Sequence, residues 1–152
     1  MNLAIKVIKN TAKHFVSELE KESKKASRKA IGRCGLLLRN QARRNLKSSG
    51  IKITDSHFGD KLVHGVRVGR IYRQENSFKR NVRITTNRRN KKSGWFRLPW
   101  LSSGTNERFQ KKKNKSVGKI SGTHFYDNAI ASFDFAKTYN DEMNKQLSKM
   151  KK

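Results

Sequence analysis

Apolar positions along this chain change their period several times, and each change marks an element. Leu3, Ile5 and Val7 alternate with Ala4, Lys6 and Ile8, which predicts a short first strand closed by Asn10 and Thr11. A helical region follows, opened by Phe15 and Leu19. Glu18, Glu20 and Glu22 fall in its early turns, where the helix dipole favours negative charge. From Ser23 to Leu46 the pattern strengthens: Ala26, Ala30, Cys34, Leu37, Leu38 and Gln41 recur at spacings of three and four on one face. Lys25, Arg28, Lys29, Arg39, Arg43 and Lys47 occupy the opposite face, so the helix separates an apolar stripe from a cationic one. Gly32 and Gly35 inside it each cost about 1 kcal/mol relative to Ala, which implies close packing, a kink or a boundary between two helices.

Ser48, Ser49 and Gly50 end the helix and begin a loop through Gly59. Leu62, His64, Val66 and Val68 then share one parity. Phe78, Arg80, Val82 and Ile84 repeat it after a turn near Gln74–Ser77, predicting a hairpin with one wet face. Asn87–Ser93 reads as a basic loop. Trp95–Leu101, the densest aromatic segment, reads as an edge strand or bulge because of Pro99. Residues 106–122 carry Lys111, Lys112, Lys113, Lys115 and Lys119 without periodicity and are expected to form a mobile basic loop. A last helix is predicted from about Tyr126 to the terminus through Ala129, Ile130, Phe133, Ala136, Met143, Leu147 and Met150. The order predicts an α+β fold, a long basic helix and a C-terminal helix packed on a small, mainly antiparallel β-sheet. Its length fits a single domain over residues 1–152, within the usual 100–200 or so residues per domain.

Charge changes the picture most. The chain has 37 Lys+Arg against 11 Asp+Glu, a formal net charge of +26 in 152 residues. Between Ser23 and Tyr126 the only carboxylates are Asp55, Asp60, Glu75 and Glu107. Such a field draws phosphate and is screened by salt, without choosing between DNA, RNA and an acidic protein surface. The single Cys34 excludes an internal disulfide and a multi-cysteine zinc site, and its apolar face makes it a buried structural thiol. No apolar run approaches the roughly 20 residues of a membrane span. No secretory signal is read at the start, so a reducing cytoplasm is the expected place of synthesis.

In order along the chain, these features resemble the tail-completion and head–tail joining proteins of long-tailed bacteriophages. The long basic helix is Ser23–Leu46. A Gly-x-Leu-containing lead into a sheet looks like Phe58-Gly59-Asp60-Lys61-Leu62-Val63-His64-Gly65-Val66, with Leu62, Gly65 and Val66 at the family spacing. The family's strand ending in Gly-Thr looks like Trp95–Leu101 followed by Ser102-Ser103-Gly104-Thr105, and Gly122-Thr123-His124-Phe125-Tyr126-Asp127-Asn128-Ala129 resembles the approach to the family's last helix. The chain departs from the pattern in lacking a proline at the end of the first helix and before Phe125, and in placing Gly59 one residue too far from Leu62. The resemblance implies a structural virion protein of the phage neck, not an enzyme and without a cofactor. It would be made in the host cytoplasm and assemble as a homo-oligomeric ring, commonly six-fold, between the connector and the tail tube or terminator, letting genomic DNA pass.

The candidate DNA-facing residues are Lys25, Arg28, Lys29, Arg39, Arg43, Lys47, Lys111, Lys112, Lys113 and Lys115. Trp95, Phe96 and Trp100 are candidate anchors for a neighbouring subunit, because Trp is common at interface hot spots. In a strand, alternate members of that segment would instead fill the core. No motif for sequence-specific recognition is legible. His14, His57, His64 and His124 are scattered without metal-ligand spacing, and Asp55, Asp60, Glu75 and Glu107 form no compact acidic motif for a nuclease metal site. The alternative reading is a nonspecific nucleic-acid-binding protein of ribosomal or nucleoid type.

Overall fold

A computed structural model describes residues 2–51, 62–85, 95–110 and 115–150, with backbone alone for 2–12 and 150. Its elements are a helix α1 (Asn2–Ser48), a 3-10 turn (Leu62–Gly65), strands β1 (Val66–Gln74) and β2 (Ser77–Ile84), and a second 3-10 turn (Trp95–Arg97). Helix α2 (Leu98–Ser103), strands β3 (Phe109–Gln110) and β4 (Lys115–Ser116), and helices α3 (Phe125–Ala131) and α4 (Phe135–Met150) follow. The fold is α+β, with helices packed on small antiparallel two-stranded sheets.

The predicted first strand is instead the beginning of α1, which runs for 47 residues, about 70 Å of helix. Ile5, Ile8, Ala12, Phe15 and Leu19 already follow spacings of three and four. The short alternation at Leu3–Val7 is a fragment of that longer period, and neither Asn10 nor Thr11 stops it. The helix also passes through Gly32 and Gly35 without a break. Close packing is the reason at Gly35, where a Cβ would lie 2.9 Å from Cδ of Arg80 and 3.2 Å from Cγ2 of Val68.

Two compact units divide the chain: Met1–Cys34, Ile71–Lys79 and Asp134–Lys152 form one, and Gly35–Arg70 and Arg80–Phe133 the other. In the first, Ala26, Ala30 and Cys34 are buried. Helix α4 is tied to α1 there by a 2.9 Å hydrogen bond between the Ser27 and Tyr139 hydroxyls and by Arg33 standing 3.7 Å from Glu142. Burial, and then Glu142, pushes the Cys34 thiol above its ordinary range. In the second unit the core consists of Ala42, Leu46, Leu62, Val63, Val66, Trp95, Leu98, Phe125 and Ala129. Ala42 and Leu46 are fully buried, whereas Leu37, Leu38 and Gln41 of the predicted stripe are half-buried.

The hairpin is as predicted, with Glu75 and Asn76 at its turn and Phe78, Arg80, Val82 and Ile84 on the more buried face of β2. Glu75 adopts the left-handed conformation (φ 51°), and its carbonyl accepts a hydrogen bond from Nε of Arg73. The strand starts later than expected, because Leu62, Val63, Gly65 and Val66 are all buried and a strand cannot send consecutive side chains to one face.

Two further expectations are corrected, those for Trp95–Leu101 and for the last helix. Trp95–Leu101 is a 3-10 turn running into α2, not an edge strand. Buried Trp95, Leu98 and Ser102 are spaced three and four apart, and Pro99 sits in the first helical turn, where its missing N–H is no loss. Within the predicted mobile loop, Phe109 pairs with Ser116 and Gln110 with Lys115 in an antiparallel ladder. The predicted last helix is two helices. The Ser132 hydroxyl turns back to the Asn128 carbonyl (2.7 Å), and the Asp134 carboxylate accepts from the Lys137 amide (2.9 Å), capping α4.

Tyr126 on α3 donates its hydroxyl to the Val82 carbonyl of β2, closing the second unit's core. Burial, and then Asp127, raises its pKa above the usual phenol value. A raised folded-state value means that the stabilisation is whole below about pH 10 and is lost as pH rises toward that higher value. Tyr126→Phe is expected to lower stability at neutral pH by about 1 kcal/mol and to make the alkaline loss shallower, measured by urea unfolding at neutral and alkaline pH.

Candidate nucleic-acid interface

The motifs quoted from separate parts of the sequence meet in the second unit. Gly104, just after α2, has φ 80° and ψ −176°, a conformation essentially restricted to glycine. It crosses Gly122 backbone to backbone. A Cβ on Gly104 would lie 2.8 Å from the Gly122 nitrogen and 2.9 Å from the Ile120 carbonyl oxygen; one on Gly122 would lie 2.7 Å from the Ser103 carbonyl carbon and 2.8 Å from the Ser102 oxygen. Both threonines stitch this crossing. The Thr105 amide donates to the Ile120 carbonyl (2.9 Å) and the Ile120 amide to the Thr105 hydroxyl (3.0 Å). Thr123 donates both its amide and its hydroxyl to the Leu101 carbonyl (2.9 Å each), and the His124 amide reaches the Ser102 carbonyl (2.8 Å). The third motif lies in the core beside the crossing, with Leu62, Gly65 and Val66 buried and Gly65 against Leu98 and Trp95.

The crossing is also the base of the β3–β4 hairpin. Arg108 and Val117 continue it through the Val117 amide to the Arg108 carbonyl (2.8 Å), and the Ser116 hydroxyl bonds the Glu107 carboxylate (2.7 Å). Lys115 is exposed on β4, while Lys111, Lys112 and Lys113 lie outside the described residues.

The helical cations divide by surroundings. Lys25, Arg28, Lys29 and Lys47 are exposed and Arg39 is half-buried. Arg43 follows buried Ala42 and turns to β1, where Nε and Nη2 both donate to the Val66 carbonyl (3.2 and 2.9 Å). Burial, then Arg39 and Arg67, lowers its pKa from the usual guanidinium value. Arg43 therefore holds the fold together, a role that the uniform cationic stripe in the sequence conceals.

Of the aromatic candidates, Trp95 is core: it is 6% exposed, with the Arg67 guanidinium 4.2 Å above its ring. Trp100 is 40% exposed and half-buried Phe96 meets it edge to face at 5.7 Å. Of these two, Trp100 is the one at the surface.

In the first unit, Lys24, Lys25 and Arg28 of α1 and Ile71, Arg73 and Phe78 of the hairpin line a groove of about 410 Å³. Cations surround an apolar floor there. Sequence reading found Lys25, Arg28 and Phe78 separately; the shared parity of Ile71 and Arg73 was the only local sign of the rest.

Asp55, Asp60 and His57 lie outside the described residues, as do Asn87–Ser93 and residues 58–61 of the sheet lead-in. Among the described residues no group of three His, Cys, Asp or Glu side chains is placed to hold a metal ion. No described helix is long and apolar enough to cross a membrane. No family model, curated protein or solved structure matches the chain.

Gly104→Ala or Gly122→Ala should destabilise the protein by about 2–4 kcal/mol, because the obstructing atoms are backbone. Gly118→Ala, where φ is 75° but nothing lies within 4 Å, should cost only about 1 kcal/mol. Equal losses in chemical denaturation would argue against the crossing. By the same measurement Arg43→Ala should cost about 1.5–3 kcal/mol, and Lys29→Ala or Lys47→Ala no more than about 0.5 kcal/mol.

Proposed function

We propose that this chain is a structural protein of the neck of a long-tailed phage, of the tail-completion or head–tail joining kind. It assembles as a homo-oligomeric ring, six-fold by resemblance, between the connector and the tail tube or terminator, and genomic DNA passes it without being read. The reading is carried by the Gly104–Gly122 crossing. The resemblance rests on motifs far apart in sequence: Gly104-Thr105 and Gly122-Thr123 cross each other, and the helices they adjoin supply Leu98, Phe125 and Ala129 to one core with Leu62 and Val66. Their common purpose in the fold explains why such residues should occur together.

Charge supports the passage of DNA. A conduit must attract phosphates yet release them, so it benefits from exposed, long cationic side chains and not from base-reading ones. Lys29, Lys47 and Lys115 are of that type. Joining falls to the edges and loops, where Trp100, Phe96 and the β3–β4 hairpin offer a rigid base with an exposed surface.

A stop codon early in the gene should leave filled heads and separate tails in the lysate, seen by negative-stain microscopy, and added purified chain should join them. Normal, infectious particles made without the chain would overturn the assignment; recovery of the chain with cellular nucleic acid would then favour the free nucleic-acid-binding reading.

A further inference from the structure

The first half of α1 lacks cover. Every residue from Lys13 to Lys25 is exposed, including Phe15 at 60%, Val16 at 54% and Leu19 at 49%. On a helix these three fall within about 100° of surface. Glu18 and Glu22, one turn apart, flank them on one side and Glu20 on the other. The result is an apolar stripe with an acidic rim, on a chain whose net charge is +26. Solvated helices carry scattered apolar residues without consequence, but a stripe with Glu18 and Glu22 along one edge and Glu20, beside Lys13, along the other is the pattern of a helix that lies in a cationic groove.

The same unit supplies such a groove. Lys24, Lys25, Arg28 and Arg73 surround Ile71 and Phe78, in a space of about 410 Å³. Within one chain the stripe does not occupy it: among the described residues the rim makes local pairs, Glu18 with His14 (3.8 Å) and Glu20 with Lys24 at the edge of the groove (3.4 Å), both exposed. Pairing two stripes face to face would bring their glutamates together, which is unfavourable. An acidic-rimmed stripe and a cationic groove on one molecule are complementary only between different copies.

We infer that residues 13–23 of α1 dock in the groove formed by Lys24, Lys25, Arg28, Ile71, Arg73 and Phe78 of a second copy of this chain. Phe15 and Leu19 meet Ile71 and Phe78, and the glutamate rim meets the groove's cations. Stripe and groove are consecutive on α1, so two copies docking reciprocally close a two-fold pair, whereas docking one way only is head-to-tail and propagates until it closes into a ring or continues as a filament. It deepens the neck reading by giving the expected ring an interface, and it assigns this part of the cationic surface to protein while Lys29, Lys47 and Lys115 stay open to DNA.

Sedimentation velocity of the full chain tests it with two charge-reversed variants, E18K/E20K/E22K and R28E/R73E. The wild type should self-associate with a concentration dependence that weakens at high salt, and each variant alone should associate at least about tenfold more weakly. Mixed, the two variants should associate, since each retains or regains a complementary surface; this rescue also shows that both are folded. E18Q/E20Q/E22Q, which keeps the side-chain size, should fall between the wild type and the reversal. Variants that associate like the wild type, a mixture that stays monomeric, or a wild type that is monomeric at every concentration would each overturn the interface. None of these results bears on whether particles need the chain for joining, so failure here is distinct from failure of the neck reading.

Discussion

Two glycines with no room for a side chain hold the larger unit in its arrangement. Where Gly104 crosses Gly122, backbone meets backbone, and neither partner can yield as a flexible side chain could. The crossing fixes the end of α2 against the approach to α3, so that Leu98 from one side and Phe125 and Ala129 from the other fill the same core with Ala42, Leu46 and Val66. Four amide hydrogen bonds and two threonine hydroxyls flank it, which removes the orphan polar groups that a buried loop crossing would otherwise leave. The β3–β4 hairpin projects from a base already fixed.

A chain with so few carboxylates can pair few of its arginines, as Arg33 with Glu142, and it engages several others through backbone carbonyls. Arg43 donates twice to Val66, Arg80 to Gly69, Arg67 to His64, Arg73 to Glu75 and Arg108 to Gly118. Guanidinium suits this because it is planar and carries several donors. The stem and planar guanidinium of the side chain also pack, as Arg67 does over the Trp95 ring. Arg43 and Arg80 are thereby drawn into the fold, whereas the exposed lysines Lys29, Lys47 and Lys115 keep their charge at the surface. The Lys-Arg sum in a composition count hides this division of labour.

The hairpin, the long helix from Ser23 onward and the α+β class were legible because period-two and period-3.6 patterns there extend over many residues. Errors arose where a short segment satisfied two periods. Leu3–Val7 alternates but belongs to the run Ile5, Ile8, Ala12, Phe15, Leu19; Trp95–Leu101 contains an aromatic alternation, but burial selects Trp95, Leu98 and Ser102. A two-residue ladder such as β3–β4 has no periodicity to detect, and the break at Ser132–Asp134 is made by side-chain hydrogen bonds, which apolar spacing does not register. The candidate surface was legible as a list of cations but not as groups. Arg43 joins the core through a carbonyl 23 positions away, and Arg73 joins Lys25 and Arg28 only through tertiary packing.

Three separated motifs meet in one unit, exposed lysines stand at the surface, and an apolar helix stripe is uncovered. The proposed neck ring would use all three. Quantitative mass spectrometry of purified phage particles, reading this chain against the connector subunit, tests that role most directly. A low, fixed ratio equal to one ring's worth of copies per particle is the result expected; absence of the chain from particles would contradict it.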